Sequence, residues 1–555
     1  MEYTLARIIA DHFSVDVTPQ VSRPEPQFGD YATNVALQLA GRVGKSPREV
    51  AEQLAEALRQ TGDFAEVTVA GPGFINVRLS DVVLKKHLET IHEGYGKPDV
   101  YAGKTIITEY SDPNPFKVLH AGHFYTSVVG DSMSRLIEFA GGTVHRLNFG
   151  GDVGMHVAKT MWAILQKLGG EHPEKLHDIP VEDRSEWMAE QYVVGTDVYE
   201  DDESAKVEIV ALNKKVYQLH SENDHESALA QIYWTCREWS YEYFTAFYDR
   251  IGTTFERFIP ESETAPLGLA TVLEQKEKGV YVESDGAIVF VGEPYGLHTR
   301  VFVNTEGLPT YEAKDVGLSI KKWNEYSFDQ SIIITGNDIT EYMKVVLKSI
   351  EQFQPELAQR TLHVTHGNVK LPGGVKMSSR KGNILRAIDV LESAAEATEA
   401  IQPGSDESVV LGAIKYAFLK NRVGPDVIFD VNESVALHGN SGPYLQYAHA
   451  RACSLLQKGT VAPALQGEDF DTAERSLVVK LTEFPEVATV AVTQLSPHLI
   501  CTYAYELTQV FNRFYEQSRI VSDAREAHRL RLVEAYALIL KQSLQVLGIA
   551  APEKL

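Results

Sequence analysis

The chain has 555 residues, 44% hydrophobic and 23% charged, with 52 basic and 76 acidic side chains and a net charge of −24. That balance excludes collagen-like, disulfide-scaffold and wholly disordered classes, and at ~100–200 residues per domain it predicts about three to five domains. No apolar run nears the ~18–20 residues of a membrane span, MEYTLARIIADHF opens without the apolar core of a secretory signal, and Cys236, Cys453 and Cys501 lie far apart without CxxC spacing, so a cytoplasmic, reducing setting is expected.

Residues 1 to about 95 predict a small α+β domain. Ser46-Pro47-Arg48-Glu49 before VAEQLAEAL has an N-cap hydroxyl, a first-turn proline and the acid of a capping box. Glu66 to Ser80 alternates like two strands around Gly-Pro-Gly. After the linker Tyr95-Gly96-Lys97-Pro98, KTIITEYS reads as a buried parallel strand. A helix (SVVGDSMSRLIEFAG) and a strand with a Gly-rich turn (TVHRLNFGGDVG) complete a βαβ unit. The runs AIVFVG, TRVFVN, SIIITG and LHVTHG predict that one parallel sheet continues to about residue 370. Residues 157 to about 270 are helix-rich and acidic, as expected of an insertion with a solvated face. From about residue 405 the period is helical to the end, predicting an all-α bundle of about 150 residues. The fold class expected is therefore an α/β Rossmann-like parallel-sheet catalytic domain (100–400), between a small α+β domain (1–95) and a helical bundle (405–555).

Two motifs carry chemistry. His120-Ala121-Gly122-His123 sits between a strand and a helix. Free N–H groups and the helix dipole there favour phosphate, Gly122 lets a flat ring approach the backbone, and imidazole N–H groups can hold charge developing on phosphorus. A pair of structural histidines is the competing reading. Zinc is disfavoured, because zinc helices space histidines i, i+4 around a carboxylate. Lys376-Met377-Ser378-Ser379-Arg380-Lys381-Gly382 combines cations, hydroxyls and a glycine, which suits a polyphosphate; a charged surface loop is the bland alternative.

In this order, about 250 residues apart, the two motifs resemble the HIGH and KMSKS signatures of class I aminoacyl-tRNA synthetases. The strings EYSDPNPFKVLHAGH, GLPTYEAKDVG and SGPYLQYAHAR narrow the resemblance to the arginyl-tRNA synthetase family, and FGDYATNVALQLA and GPGFINVRL are similar to its N-terminal domain. The resemblance implies ATP-dependent activation of L-arginine to arginyl-adenylate, and transfer to the 3′ terminal adenosine of tRNA(Arg). It implies tRNA-dependent activation; ATP chemistry implies Mg2+, with no protein ligand identified in the sequence, and a monomer is expected. The HIGH-like segment is Pro113, Asn114, Pro115, Phe116, Lys117, Val118, Leu119, His120, Ala121, Gly122 and His123. By resemblance His120, Gly122, His123, Lys376 and Lys381 serve ATP, with Lys117, Met377, Ser378, Ser379 and Arg380 also placed in the catalytic set. Glu109, Asn114, His123, Tyr311, Asp315 and Asp338 serve arginine. Tyr311 and Asp315 lie four apart, so a helix would put them on one face. Phe74 and Asn76 are placed at the tRNA elbow. Tyr444, Tyr447, Arg451, Arg513, Tyr515 and Arg519 interleave charge and aromatic surface for the anticodon, although aromatic stripes at this spacing also build cores.

The sequence departs from the family pattern in three places. Asp112 replaces a small hydroxyl, Ser379 replaces the usual loop lysine, and Asp338 stands where some relatives carry an amide. Another class I synthetase and a non-catalytic tRNA-binding paralogue are the competing readings. The Pro113-Asn114-x-x-Lys117 spacing and SGPYLQYAHAR oppose the first, and the intact His120, Gly122 and His123 oppose the second.

Overall fold

The structure is a computed structural model that describes residues 1–372, 385–462 and 469–555. The capping box forms as the sequence predicts. Glu49 N–H donates to the Ser46 hydroxyl (3.3 Å) and Ser46 N–H to the Glu49 carboxylate (2.9 Å). Phe64–Ala70 and Phe74–Leu79 pair antiparallel around the Gly-Pro-Gly turn, and the helix Pro47–Gln60 packs its Val50, Leu54 and Leu58 stripe on them.

The second unit is a five-stranded parallel sheet. Its elements in chain order are β1 (Thr105–Glu109), α1 (Ala121–Phe139), β2 (Thr143–Gly150), β3 (Arg257–Pro260), α2 (Glu261–Glu277), α3 (Tyr311–Tyr326), β4 (Gln330–Gly336) and β5 (Thr361–His366). The strand order is β5-β4-β1-β2-β3. The chain leaves β1 toward β2 and later returns to β1's other side as β4. That reversal opens a crevice at the carboxyl ends of the strands, where open α/β sheets bind ligands.

The expected single sheet needs two corrections. AIVFVG and TRVFVN do not join it; Ala287–Phe290 and Arg300–Val303 form a separate antiparallel sheet with Val282–Ser284. A short β-branched run reads alike in either kind of sheet. Conversely β3, inside the stretch read as helical, is a true sheet member. Otherwise that stretch is helical, with Met155–Leu168, Arg184–Asp201, Glu203–Glu222 and Ala228–Ile251 packed on their own core.

α2 and α3 cross at two glycines. A Cβ on Gly268 would lie 1.9 Å from the Ala313 carbonyl oxygen, and one on Gly317 2.3 Å from that of Thr264. This contact sets the N-termini of α2 and α3 side by side at the crevice. Behind the sheet, α1 shares one continuous core with the C-terminal helices, including Phe418, Leu532 and Leu540. The architecture is the one expected: a small N-terminal α+β domain, a parallel-sheet catalytic domain and a C-terminal helical bundle. No helix among the described residues is long and apolar enough to cross a membrane.

Candidate active site

A cavity of about 790 Å³ opens at the carboxyl ends of β1, β2, β4 and β5. Its wall includes Glu109, Asn114, His120, Gly122, His123, Tyr311, Asp315 and Asp338, so residues assigned to ATP and to arginine meet in one space.

The histidine pair is built by the start of α1. His120 is the N-cap, and its Nδ1 accepts from the backbone N–H groups of Gly122 (3.1 Å) and His123 (3.3 Å). His120 N–H donates to His123 Nδ1 (3.2 Å), and the two rings stack with centroids 3.7 Å apart. A ring nitrogen that accepts from N–H carries no hydrogen, so both rings are Nε2–H tautomers. Burial, with the nearby Lys117 charge, lowers His120 to about 4 and pushes His123 well below its ordinary value. Both are neutral at physiological pH.

This corrects the expectation of free helix N–H groups. The donors of Gly122 and His123 are taken by His120, and Ala121 N–H donates to the Leu385 carbonyl (3.0 Å). The two Nε2–H groups are therefore what this end offers an anion. Gly122 has a nearer reason than an approaching adenine, because a Cβ there would lie 2.8 Å from the His120 ring.

Residues 376–381 fall outside the described residues. The chain on either side of them flanks α1. Before them, His366 Nε2 lies 2.8 Å from the Thr126 hydroxyl. After them, Leu385 bonds Ala121, and Ala387 N–H donates to the Leu119 carbonyl (2.8 Å). Lys117 Nζ lies over the Tyr192 ring, 4.3 Å from its centroid, and its charge lowers His120, His123 and His156.

On the other side of the cavity, Glu109 ends β1, and one of its oxygens accepts from the buried Lys322 (2.5 Å). Asp112 Oδ1 accepts from Phe149 N–H (2.8 Å), tying the ends of β1 and β2 together. Ser111 and Asp112 are both left-handed, with φ of 75° and 48°, a strained conformation of the kind found at functional sites. Burial and the Glu109 charge raise Asp112 well above the carboxylate range. Asn114 Oδ1 accepts from Gly151 N–H (2.7 Å). Asp315 accepts from the Tyr342 hydroxyl. Burial, with the Glu109 and Glu261 charges, raises Asp315 to about 8. Asp338 is exposed at the rim.

Sequence reasoning missed several residues. Glu261, first in α2, lines the cavity and pairs with the buried Lys314 (2.5 Å). Asp152, fully buried, accepts at its carboxylate from Ser262 N–H (2.9 Å), Ser262 Oγ (2.7 Å) and Arg237 Nε (2.9 Å). It thereby caps α2 and holds Glu261 in place. The only advance signal for Asp152 was its place in the Gly-rich turn after β2.

The tRNA assignments separate. Phe74 is 42% exposed, and Asn76 follows it on the same strand. Tyr444 accepts from Asn512 Nδ2 (2.8 Å), Arg451 donates to Asn512 Oδ1 (3.2 Å), and Arg451 lies over the Tyr515 ring (5.5 Å). Those residues form one patch. Tyr447 is half-buried on the same helix, one turn from Tyr444 and Arg451, whereas Arg513 and Arg519 are exposed outside the bonded group.

Residues 88–431 match the model for the tRNA synthetases class I (R) catalytic domain. Residues 2–79 match the arginyl tRNA synthetase N terminal domain, and 445–555 the DALR anticodon binding domain. A parallel sheet with a histidine signature at its crevice, matched over most of its length, defines a class I aminoacyl-tRNA synthetase. An arginine–tRNA ligase of Treponema pallidum is 31% identical over 96% of this chain and 94% of its own, and one of Clostridium perfringens 29% over 96% and 95%. The chain belongs to the arginyl-tRNA synthetase family. The arginyl-tRNA synthetase of Thermus thermophilus has the same fold (TM-score 0.77, 23% identity, 100% of this chain and 99% of that one), as does that of Plasmodium falciparum (0.77, 22%, 100% and 98%).

Proposed function

We propose that the cavity activates L-arginine with ATP and passes the arginyl group to the 3′ adenosine of tRNA(Arg). The observation that carries this reading is that three acids, Glu109, Glu261 and Asp315, share one cavity with two neutral imidazole donors. A guanidinium is planar, always charged and rich in donors, and fixed carboxylates suit it. The α-carboxylate attacks the α-phosphate, and the His120 and His123 Nε2–H groups stabilise the charge that develops there. Magnesium would arrive on the ATP phosphates; among the described residues no group of three His, Cys, Asp or Glu could hold a metal ion. The test is ATP–pyrophosphate exchange across the twenty amino acids, with and without bulk tRNA. Exchange is expected with arginine alone, and only when tRNA is present. Exchange with another amino acid, or with none, would refute the reading.

The domain roles extend the proposal. Residues 1–95 meet the tRNA elbow through Phe74 and Asn76, and the bundle 405–555 meets the anticodon through the Tyr444–Arg451–Tyr515 patch, where stacking and phosphate contact suit an unstacked loop.

A pH dependence follows from Asp315, which burial and the Glu109 and Glu261 charges raise to about 8. Only the carboxylate pairs with a guanidinium, so binding below that value must first expel a proton. Arginine affinity is expected to fall up to about tenfold per pH unit below 8 and to level off above it. Calorimetry in buffers of different ionisation heat should register release of close to one proton at pH 7. A flat profile with no proton release would contradict the assignment of Asp315.

The absent lysine at Ser379 leaves the departing pyrophosphate short of one cation. We assign that charge jointly to Lys117 and the loop cations Arg380 and Lys381. Residues acting on one charge couple, so their losses should not add. Exchange rates of Lys117→Ala, Lys381→Ala and the double variant decide the point; strict additivity, or a silent Lys117→Ala, would remove Lys117 from this role.

A further inference from the structure

We infer that His156 is a positioning residue that sets the amino-acid specificity of the pocket: it takes the hydrogen of the Tyr311 hydroxyl and leaves the phenol oxygen only lone pairs to offer the cavity. The inference rests on the reading of this pocket as the arginine site.

His156 lies in the first turn of the helix Met155–Leu168, 8% exposed, outside the cavity lining. Its Nε2 is 2.7 Å from the Gly151 carbonyl oxygen. A carbonyl only accepts, so Nε2 carries the hydrogen. Its Nδ1 is 3.2 Å from the Tyr311 hydroxyl. In a neutral ring with Nε2–H, Nδ1 is a lone pair, so the hydroxyl must donate. Burial, with the charges of Lys117, Lys314 and Lys159, lowers His156 to about 3 and keeps the ring neutral. The arrangement is anchored, because the Gly151 unit that receives Nε2–H also donates its N–H to Asn114.

A tyrosine that has given its one hydrogen to His156 joins Glu109, Glu261 and Asp315 as a further acceptor in the cavity wall. A guanidinium brings five N–H donors and no acceptor, so this wall can satisfy it. The urea of L-citrulline has the same length but replaces one amino group with a carbonyl oxygen, which at the Tyr311 oxygen would meet a lone pair where the guanidinium presents N–H. A site built of matched polar groups rejects an analogue that leaves them unpaired. Without His156 the Tyr311 hydroxyl could turn and donate, and the wall would accept either side chain.

The test is tRNA-dependent pyrophosphate exchange with arginine and with citrulline. The proteins are the wild type, His156→Leu, His156→Gln, Tyr311→Phe and the double variant His156→Leu/Tyr311→Phe. His156→Leu should raise the arginine KM about tenfold and narrow the preference over citrulline about as much, with kcat and the ATP KM within about twofold. His156→Gln should restore both, since its amide can donate to Gly151 and accept from Tyr311. The double variant should match Tyr311→Phe, because His156 acts only through that hydroxyl. A silent His156→Leu, or losses that add in the double variant, would overturn the inference. If His156→Leu does not fold, nitrogen-15 NMR of histidine-labelled wild type decides, and an Nδ1–H tautomer overturns it. Wild type that fails to exchange with arginine refutes the reading of the pocket itself, whereas normal wild-type exchange with additive variants refutes only the role of His156.

Discussion

Asp315→Asn should raise the arginine KM by about 10²-fold or more and leave the ATP KM within about twofold. Truncating one partner of a desolvated charge pair costs about 2–5 kcal/mol, and each 1.4 kcal/mol is about tenfold. The substitution keeps the shape and keeps an oxygen to accept from Tyr342, so it removes charge without opening a cavity. On the proposed reading Asp315 should carry more of the guanidinium's charge than Glu109, because Glu109 is already matched by Lys322 at 2.5 Å, and Glu261 is likewise matched by Lys314. Asp315 alone of these three has a neutral partner. Steady-state exchange with saturating ATP and tRNA measures the effect. A change below about fivefold would mean that the guanidinium lies elsewhere. The same variant should abolish the pH dependence of arginine affinity near 8, since the titrating group is gone.

How far the site was legible depended on where its residues stand in the chain. The histidines stand at a strand-to-helix turn that local pattern marks, and Asn114 and Glu109, within fifteen residues of them, are legible through the family resemblance. Tyr311 and Asp315 were legible through helical spacing together with the family resemblance. Lys322, Lys314, Glu261, Asp152 and His156 were not, although they fix the charge and direction of the others. Each is an ordinary polar residue on an ordinary helix or turn, and only the close crossing of α2 and α3 brings Glu261 to Lys314. The strand runs between 287 and 303 misled because β-branched apolar sequence records burial, not the direction of the neighbouring strand. β3 escaped because four residues ending in proline carry too little pattern to stand out from helices on either side. The free helix N-terminus was a sound inference from position, and it failed because the N-cap is itself one of the motif's histidines.

That last point shapes the prediction for the histidine pair. His120 both caps α1 and presents Nε2–H to the cavity, so His120→Ala alone would confuse two losses. His120→Asn separates them. An asparagine oxygen can accept from Gly122 and His123 N–H as Nδ1 does, which preserves a cap worth about 0.5–2 kcal/mol, but it has no donor where Nε2–H stands. Single-turnover adenylate formation should fall by about 10²–10³-fold in His120→Asn, in His120→Ala and in His123→Ala, the size expected for one lost donor at a developing oxyanion. Thermal stability should drop in His120→Ala and hold in His120→Asn. Affinity for tRNA should change little in all three, because the pair lines the cavity and lies apart from the Phe74 and Tyr444 surfaces assigned to tRNA. The wild-type rate should also show no inflection between pH 6 and 7. His120 at about 4 and His123 held well below its ordinary value take up a second proton only in acid, so across the neutral range both act as fixed donors. A His120→Asn enzyme within about threefold of wild type would reduce His120 to a helix cap, and an inflection near 6.5 lost in His123→Ala would show that the stacked pair carries a charge.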